Sequence, residues 1–143
     1  QGPEQICEHR VLKEEAGTQL ALSNMLEIAL QEKRENDANF FADVYETVTR
    51  QFCFPEWMCY NARLLLALAK KDKRESLSIL QKMLPAMKKE WNPQDCQLYR
   101  NADGSGSTWL SSRLATAMTD ELTNNEEYAF LRDGREEEEQ LAQ

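Results

Sequence analysis

A single histidine and four cysteines are the residues of this 143-residue chain best suited to nucleophilic or metal chemistry. A Ser-His-Asp or Cys-His centre needs an imidazole base, and the only candidate, His9, lies close to the N-terminus, where chains are often poorly ordered. Cys7, Cys53, Cys59 and Cys96 form no C-x-x-C pair, and together with His9 they match no zinc-finger spacing. We therefore predict no catalytic residues and no metal site, with a dispersed zinc site as the weaker alternative. The cysteines are expected to be buried free thiols in a reducing compartment.

Other arrangements that support chemistry are absent or incomplete. Gly104 and Gly106 are not followed by the Lys-Ser/Thr pair of a phosphate-binding loop. Segment 101–106 carries Asn, Asp, Ser and Gly at the first, third, fifth and sixth positions of an EF-hand loop, but the twelfth position is Ser112 where the motif has a bidentate Glu. The segment is therefore predicted to be a flexible glycine turn, with weak ion binding as the alternative. The many carboxylates stand beside Lys and Arg on the polar sides of helices, which predicts plain surface residues.

Composition excludes two classes of partner. The formal net charge is -8, so the surface repels phosphate backbones and direct nucleic-acid contact by this segment is not expected. No apolar run reaches the length of a membrane span, and the N-terminus lacks the order of a signal peptide. We predict a cytoplasmic protein that needs no cofactor and does not bind membranes.

Helical periodicity dominates the sequence and predicts an all-α fold of about five to seven helices in antiparallel hairpins. The first helix is expected from Glu4 to about Lys33, bent or divided at Gly17. Three further helices are expected: from Asn36 or Asp37 to Phe52, from Pro55 to Ala69, and from an Asp72 cap to about Glu90 with a kink or break near Pro85. A long loop at 92–108 and a last helix from about Ser107 or Thr108 to Thr123 follow, and a short coda at 126–132 is expected to dock on the core.

These elements predict the domain organisation and a candidate binding surface. Residues 1–3 match a purification-tag remnant, 4–133 should form a single helical domain, and the acidic run at 134–143 should fray. A stack of helix pairs has an inner surface that can bind a peptide or a small apolar ligand. Our predicted ligand- or partner-binding residues on that surface are Tyr45, Trp57, Tyr60 and Trp109.

Segment 70–84 resembles the turn and second helix of a tetratricopeptide-like repeat. In that resemblance Ser76, Leu80 and Met83 pack onto the preceding helix, where Tyr60, Leu64 and Ala67 offer the matching contacts. It implies a right-handed stack of such helix pairs.

The order of features from about residue 57 to 140 is similar to the C-terminal half of Cro/repressor-type helix-turn-helix regulators of Firmicutes. The similarity rests on the DKRESL turn at 72–77, the segment Gly106 to Ser111, and Asn125 to Asp133 with its Tyr-x-Phe-Leu-Arg element. It implies a non-catalytic regulatory domain of a bacterial transcriptional regulator, which senses a peptide or small-molecule effector and self-associates as a dimer. A tetratricopeptide-like adaptor unrelated to transcription is the alternative. An enzyme with a carboxylate di-metal site is a third possibility, but the chain has no Glu-x-x-His pair.

Overall fold

The computed structural model of the chain describes residues 2–102, 116, 120 and 122–132, and all regular structure among them is helical, as predicted. The helices are α1 (Pro3–Gln31), α2 (Glu35–Gln51), α3 (Asn61–Ala69), α4 (Lys73–Met87) and α5 (Ala129–Arg132). Short 3-10 turns lie at Glu56–Tyr60, Pro93–Asp95, Gln97–Tyr99 and Glu126–Tyr128. Most of the predicted last helix and the acidic tail lie outside the described residues, although Thr116, Asp120 and 122–124 are helical.

Helix α1 is one continuous helix of 29 residues and is not divided at Gly17. Pro3 opens it, which suits the first turn because the amide hydrogen that proline lacks has no helical partner there. The α1–α2 hairpin packs through small side chains, since Ala29, Ala38 and Ala42 are all fully buried. Near Gly17, the buried Gln19 side chain donates to the Tyr45 carbonyl at 3.0 Å and joins this part of α1 to α2.

Helices α1, α2 and α3 all end in a Schellman motif, although none of them has a glycine at the left-handed position. Lys33, Cys53 and Lys71 occupy that position with φ angles of 60°, 56° and 54°. In each motif the amide two residues beyond the cap donates to a carbonyl five residues back: Arg34 to Ala29, Phe54 to Thr49, and Asp72 to Ala67. Three sharp reversals therefore depend on strained non-glycine residues that tertiary packing keeps in place.

The α3–α4 hairpin confirms the packing expected from the repeat-like segment. Asp72 caps α4 by accepting a hydrogen bond from the Glu75 amide at 3.0 Å, and Ser76 is fully buried with its hydroxyl donating to the Asp72 carbonyl at 2.7 Å. Leu64, Ala67, Leu80 and Met83 share one core cluster, and Tyr60 packs against it. The hairpin is thus correctly predicted, while its membership of a right-handed stack stays a prediction.

Pro85 lies inside α4 and does not break the helix at Leu84. The helix ends only two residues later, at Met87. Beyond it, the amides of Lys88 and Lys89 donate to the carbonyls three residues back, those of Pro85 and Ala86. Pro85 has no amide hydrogen to donate to the Gln81 carbonyl, so α4 loses one hydrogen bond in its last turn and ends soon afterwards. The helix is therefore about three residues shorter than the predicted limit at Glu90.

The core is divided into two clusters. One joins α1, α2 and α3 around Leu26, Tyr45 and Leu66. The other joins the Glu56–Tyr60 turn, α3, α4 and α5 around Trp57 and Met83. Met58 packs against both clusters and connects them.

Candidate functional site

The predicted binding residues do not share one surface. Tyr45 belongs to the cluster between α1, α2 and α3, and Trp57 belongs to the cluster against α4; only 4% and 5% of these residues are exposed. Tyr60 is partly exposed beside Trp57, and Trp109 lies outside the described residues. Their role in ligand binding therefore stays a prediction, and for Tyr45 and Trp57 the structure provides a packing role.

Both buried aromatic residues bring a polar atom into the core. The Tyr45 hydroxyl accepts a hydrogen bond from the Asn61 side-chain amide at 3.2 Å. Burial raises the pKa of the Tyr45 phenol, although this hydrogen bond opposes the shift. The indole nitrogen of Trp57 is buried, and no hydrogen-bond partner for it occurs among the described residues. These groups are arranged for packing and offer no reactive atom to solvent.

A groove of about 750 Å³ lies at the end of the molecule where the α1–α2 turn meets the last residues of α3. Ala29, Ala38 and Leu66 are buried beneath it, and Leu30 and Ala69 are the apolar lining residues with exposed surface. The charged side chains at its rim are Lys33, Arg34, Glu35, Asp37 and Lys70. We call this the turn groove. Its volume falls in the range of sites that bind small molecules or short peptide segments.

Only some of the charged side chains around the turn groove form ion pairs. Arg34 pairs with Asp37 at 2.7 Å and with Glu32 at 3.4 Å, whereas no ion-pair partner for Lys33 or Lys70 occurs in the described part of the chain. Among the described residues no side chain caps the N-terminus of α2, which opens onto the same groove, although Glu35 and Asp37 lie in its first turn. Lys33 and Lys70 outnumber the one rim carboxylate, Glu35, for which no ion pair occurs in that part of the chain, so the rim favours an anionic group on a ligand.

A second cavity, of about 400 Å³, is bounded by the segment that follows α4. A disulfide joins Cys53, at the end of α2, to Cys96, and both cysteines line this cavity. The Trp91 indole donates to the Cys53 carbonyl at 3.1 Å, and the Tyr99 hydroxyl donates to the Phe52 carbonyl at 2.7 Å. We call residues 91–102 the return segment, because they lead the chain back onto α1 and α2.

The disulfide corrects the expectation of four free thiols. Cys53 and Cys96 are bonded, whereas Cys7 and Cys59 are free. Cys59 is buried as expected, and burial raises the pKa of its thiol, while Cys7 is exposed. The even number of cysteines was the available signal, but the pairing depends on the path of the return segment across the end of α2.

The expectations for His9 and for the carboxylates are also refined. His9 lies within α1 and not in a frayed terminus. Glu8 is an exception to the surface carboxylates: it is 5% exposed, and one of its oxygens accepts a hydrogen bond from the Asn101 amide at 2.8 Å, so it anchors the return segment to α1.

The described residues include no group of three His, Cys, Asp or Glu side chains placed to hold a metal ion. Positions 103–107 of the EF-hand-like segment lie outside them. None of the described helices is both long enough and apolar enough to cross a membrane.

The residues of the turn groove were not predicted from the sequence. The charged run at 32–37 marked a reversal between two helices, but the groove exists only because the end of α3 packs beside it.

Comparison of the chain with protein-family models, with curated proteins and with solved structures finds no match. The resemblance to Cro/repressor-type regulators accordingly stays a prediction.

Proposed function

We propose that this chain is a non-catalytic regulatory domain of a bacterial transcriptional regulator, which binds a peptide effector in the turn groove and self-associates. The turn groove is the observation that carries the effector part of the proposal. The exposed surface of Leu30 and Ala69 suits a small aliphatic side chain, and Lys33 and Lys70, which have no ion-pair partner in the described part of the chain, suit a carboxylate. An otherwise acidic protein would therefore bind a short apolar peptide through its C-terminal carboxylate.

Binding of short apolar peptides, compared with their C-terminal amides, tests this function directly. We expect the free carboxylates to bind and the amides to bind at least about tenfold more weakly, because a charge-assisted contact is lost. Lys70→Glu should weaken binding of the carboxylates to a similar extent. Lys82→Glu, at an exposed lysine of α4 outside the groove, is the matched control and should leave it unchanged. Equal binding of both peptide forms, or equal effects of the two substitutions, would contradict the proposal.

A tetratricopeptide-like adaptor with no link to transcription is the second candidate, and the packing of the α3–α4 hairpin favours it. Ser76, Leu80 and Met83 are packed as a repeat of that kind requires. The sequence encoded upstream of this chain separates the two candidates. A helix-turn-helix there supports the regulator, whereas further helical pairs support the adaptor.

A cytoplasmic location belongs to the regulator proposal, and the Cys53–Cys96 disulfide is the observation against it. Cytosolic thiol pools keep most such bonds reduced. Alkylation of the protein in intact cells, followed by mass analysis, counts the free thiols. Four alkylated cysteines support the cytoplasm, and two support an oxidising compartment.

A further inference from the structure

Helix α1 carries a row of exposed residues on the side away from its core contacts. Ile6, Leu20 and Ile28 are 56%, 66% and 50% exposed, and Gly17 and Asn24 fall on the same side. With 3.6 residues per turn these five positions span an arc of about 80°, which also contains the exposed Arg10, Lys13 and Gln31 and lies roughly opposite the buried Leu26. We call this row the outer stripe.

The outer stripe explains why α1 has apolar residues on two sides. Between Ile6 and Leu20 the stripe is occupied by Arg10, Lys13 and Gly17, so its apolar part is the C-terminal half from Leu20 to Ile28, about 12 Å of helix. Gly17 lies in open space, since a Cβ placed there would meet no atom within 4 Å. The stripe therefore offers a helix partner both apolar side chains and a point of close approach.

The charges beside the outer stripe indicate which partner fits it. Lys13 lies within the N-terminal half of the stripe, and Glu27 borders its C-terminal half on the same side of the helix axis as Lys13. Both are exposed, and neither has an ion-pair partner among the described residues. A second α1 running in the opposite direction places Lys13 of each copy against Glu27 of the other. A parallel second copy would instead place lysine against lysine, which is unfavourable.

We propose that α1 pairs antiparallel with α1 of a second copy of this chain, with the two-fold axis at Leu20. This inference rests on the self-association part of the proposed function and names its surface. In this arrangement Leu20 packs against its own copy, and Asn24 lies opposite Ala16 and Gly17 of the second copy. Ile6 lies beyond the end of the second copy's α1 and takes no part in the pairing. Each dimer then contains two Lys13–Glu27 contacts, as an isologous interface requires.

Sedimentation equilibrium of the chain and its charge variants tests the partner and the direction. Lys13→Glu and Glu27→Lys should each weaken dimerisation roughly tenfold, because two contacts are lost per dimer and like charges replace them. Combining both substitutions in one chain should restore the affinity of the unsubstituted protein. Additive loss in the double variant would overturn the antiparallel pairing.

A second pair of variants tests the surface itself. Leu20→Glu should give a monomer with unchanged helical content by circular dichroism. Leu84→Glu is the control, because Leu84 is also apolar and is 43% exposed but lies on α4. A dimer that survives Leu20→Glu would overturn the outer stripe while leaving self-association standing. A chain that stays monomeric at high concentration would overturn self-association but not effector binding in the turn groove.

Cysteine cross-linking tests the direction independently. The antiparallel pairing separates the two exposed Cys7 residues by 26 helical positions, about 39 Å, which no disulfide can span. In a Cys7→Ser background, an equimolar mixture of Lys13→Cys and Glu27→Cys should form a disulfide-linked heterodimer. Rapid cross-linking of the native Cys7 with itself, or of Lys13→Cys with itself, would show a parallel dimer and overturn the proposal.

Discussion

Removal of the Cys53–Cys96 disulfide should lower the stability of the protein substantially without changing its fold. The bond joins the end of α2 to the return segment across 43 residues of sequence. The return segment keeps its other anchors after reduction, namely the hydrogen bonds from Trp91 and Tyr99 to the end of α2 and the buried side chain of Tyr99. The main effect of the bond is therefore expected in the unfolded chain, whose freedom it restricts.

The magnitude follows from loop closure. For a closed loop of this length the loss of chain entropy corresponds to about 4 kcal/mol at 25 °C. For a domain of this size such a loss lowers Tm by roughly 8–16 °C. The hydrogen bonds from Trp91 and Tyr99 contribute about 1 kcal/mol each. They are present with and without the disulfide, so they do not compensate for its loss.

Urea unfolding followed by circular dichroism measures this effect. The Cys53→Ser/Cys96→Ser variant should show a lower free energy of unfolding than the oxidised protein, and the reduced unsubstituted protein should agree with the variant. Cys7→Ser, at an exposed free cysteine, is the matched control and should leave the free energy unchanged. A difference below about 1 kcal/mol between oxidised and reduced protein would refute the loop-closure reasoning. Reaction of four thiols in the unfolded, unreduced protein would refute the disulfide itself.

Four further perturbations test the packing and the helix ends. Asp72→Ala removes the α4 cap and should cost about 1 kcal/mol in urea unfolding. Met83→Ala opens a space in the core at a fully buried position, and the same measurement should show a loss of about 2–5 kcal/mol. Lys33→Gly relieves a left-handed residue at the end of α1 and should raise Tm, with a gain of about 0.5–1 kcal/mol. Burial raises the pKa of Tyr99 to about 12, above the value of about 10 in an unfolded chain. The stability contributed by the neutral Tyr99 side chain should therefore be complete below the unfolded pKa and be lost as pH rises through the folded pKa. Urea unfolding at increasing pH measures this loss, with Tyr99→Phe, which cannot ionise, as the control.

Local patterns were sufficient for much of the helical framework. Asp72 could be assigned as a cap because a carboxylate before an amphipathic segment satisfies the free amides of the first helical turn. The spacing of Ser76, Leu80 and Met83 placed them on one face of α4, and the structure buries that face against α3. These predictions succeed because the periodicity of a helix determines which of its side chains share a face.

The candidate site was less predictable, for two physical reasons. Aromatic residues at helical spacing suit a core as well as a binding surface, and only the packing partners of Tyr45 and Trp57 decided that both belong to the core. The turn groove joins residues of the α1–α2 turn to Leu66 and Ala69, which follow about thirty positions later in the chain. Periodicity within one helix carries no information about such a contact.

The sequence by itself therefore determined the all-α class, the order of the first four helices, the Asp72 cap and the buried face of α4. The N-cap predicted at Asn36 or Asp37 is wrong, because α2 already begins at Glu35. Only the tertiary structure decided that α1 is continuous through Gly17, that Cys53 bonds to Cys96, and where the charged turn meets the end of α3. These features depend on contacts between residues distant in the chain. Such contacts form when helices close against one another and bury apolar surface, and no local pattern specifies them.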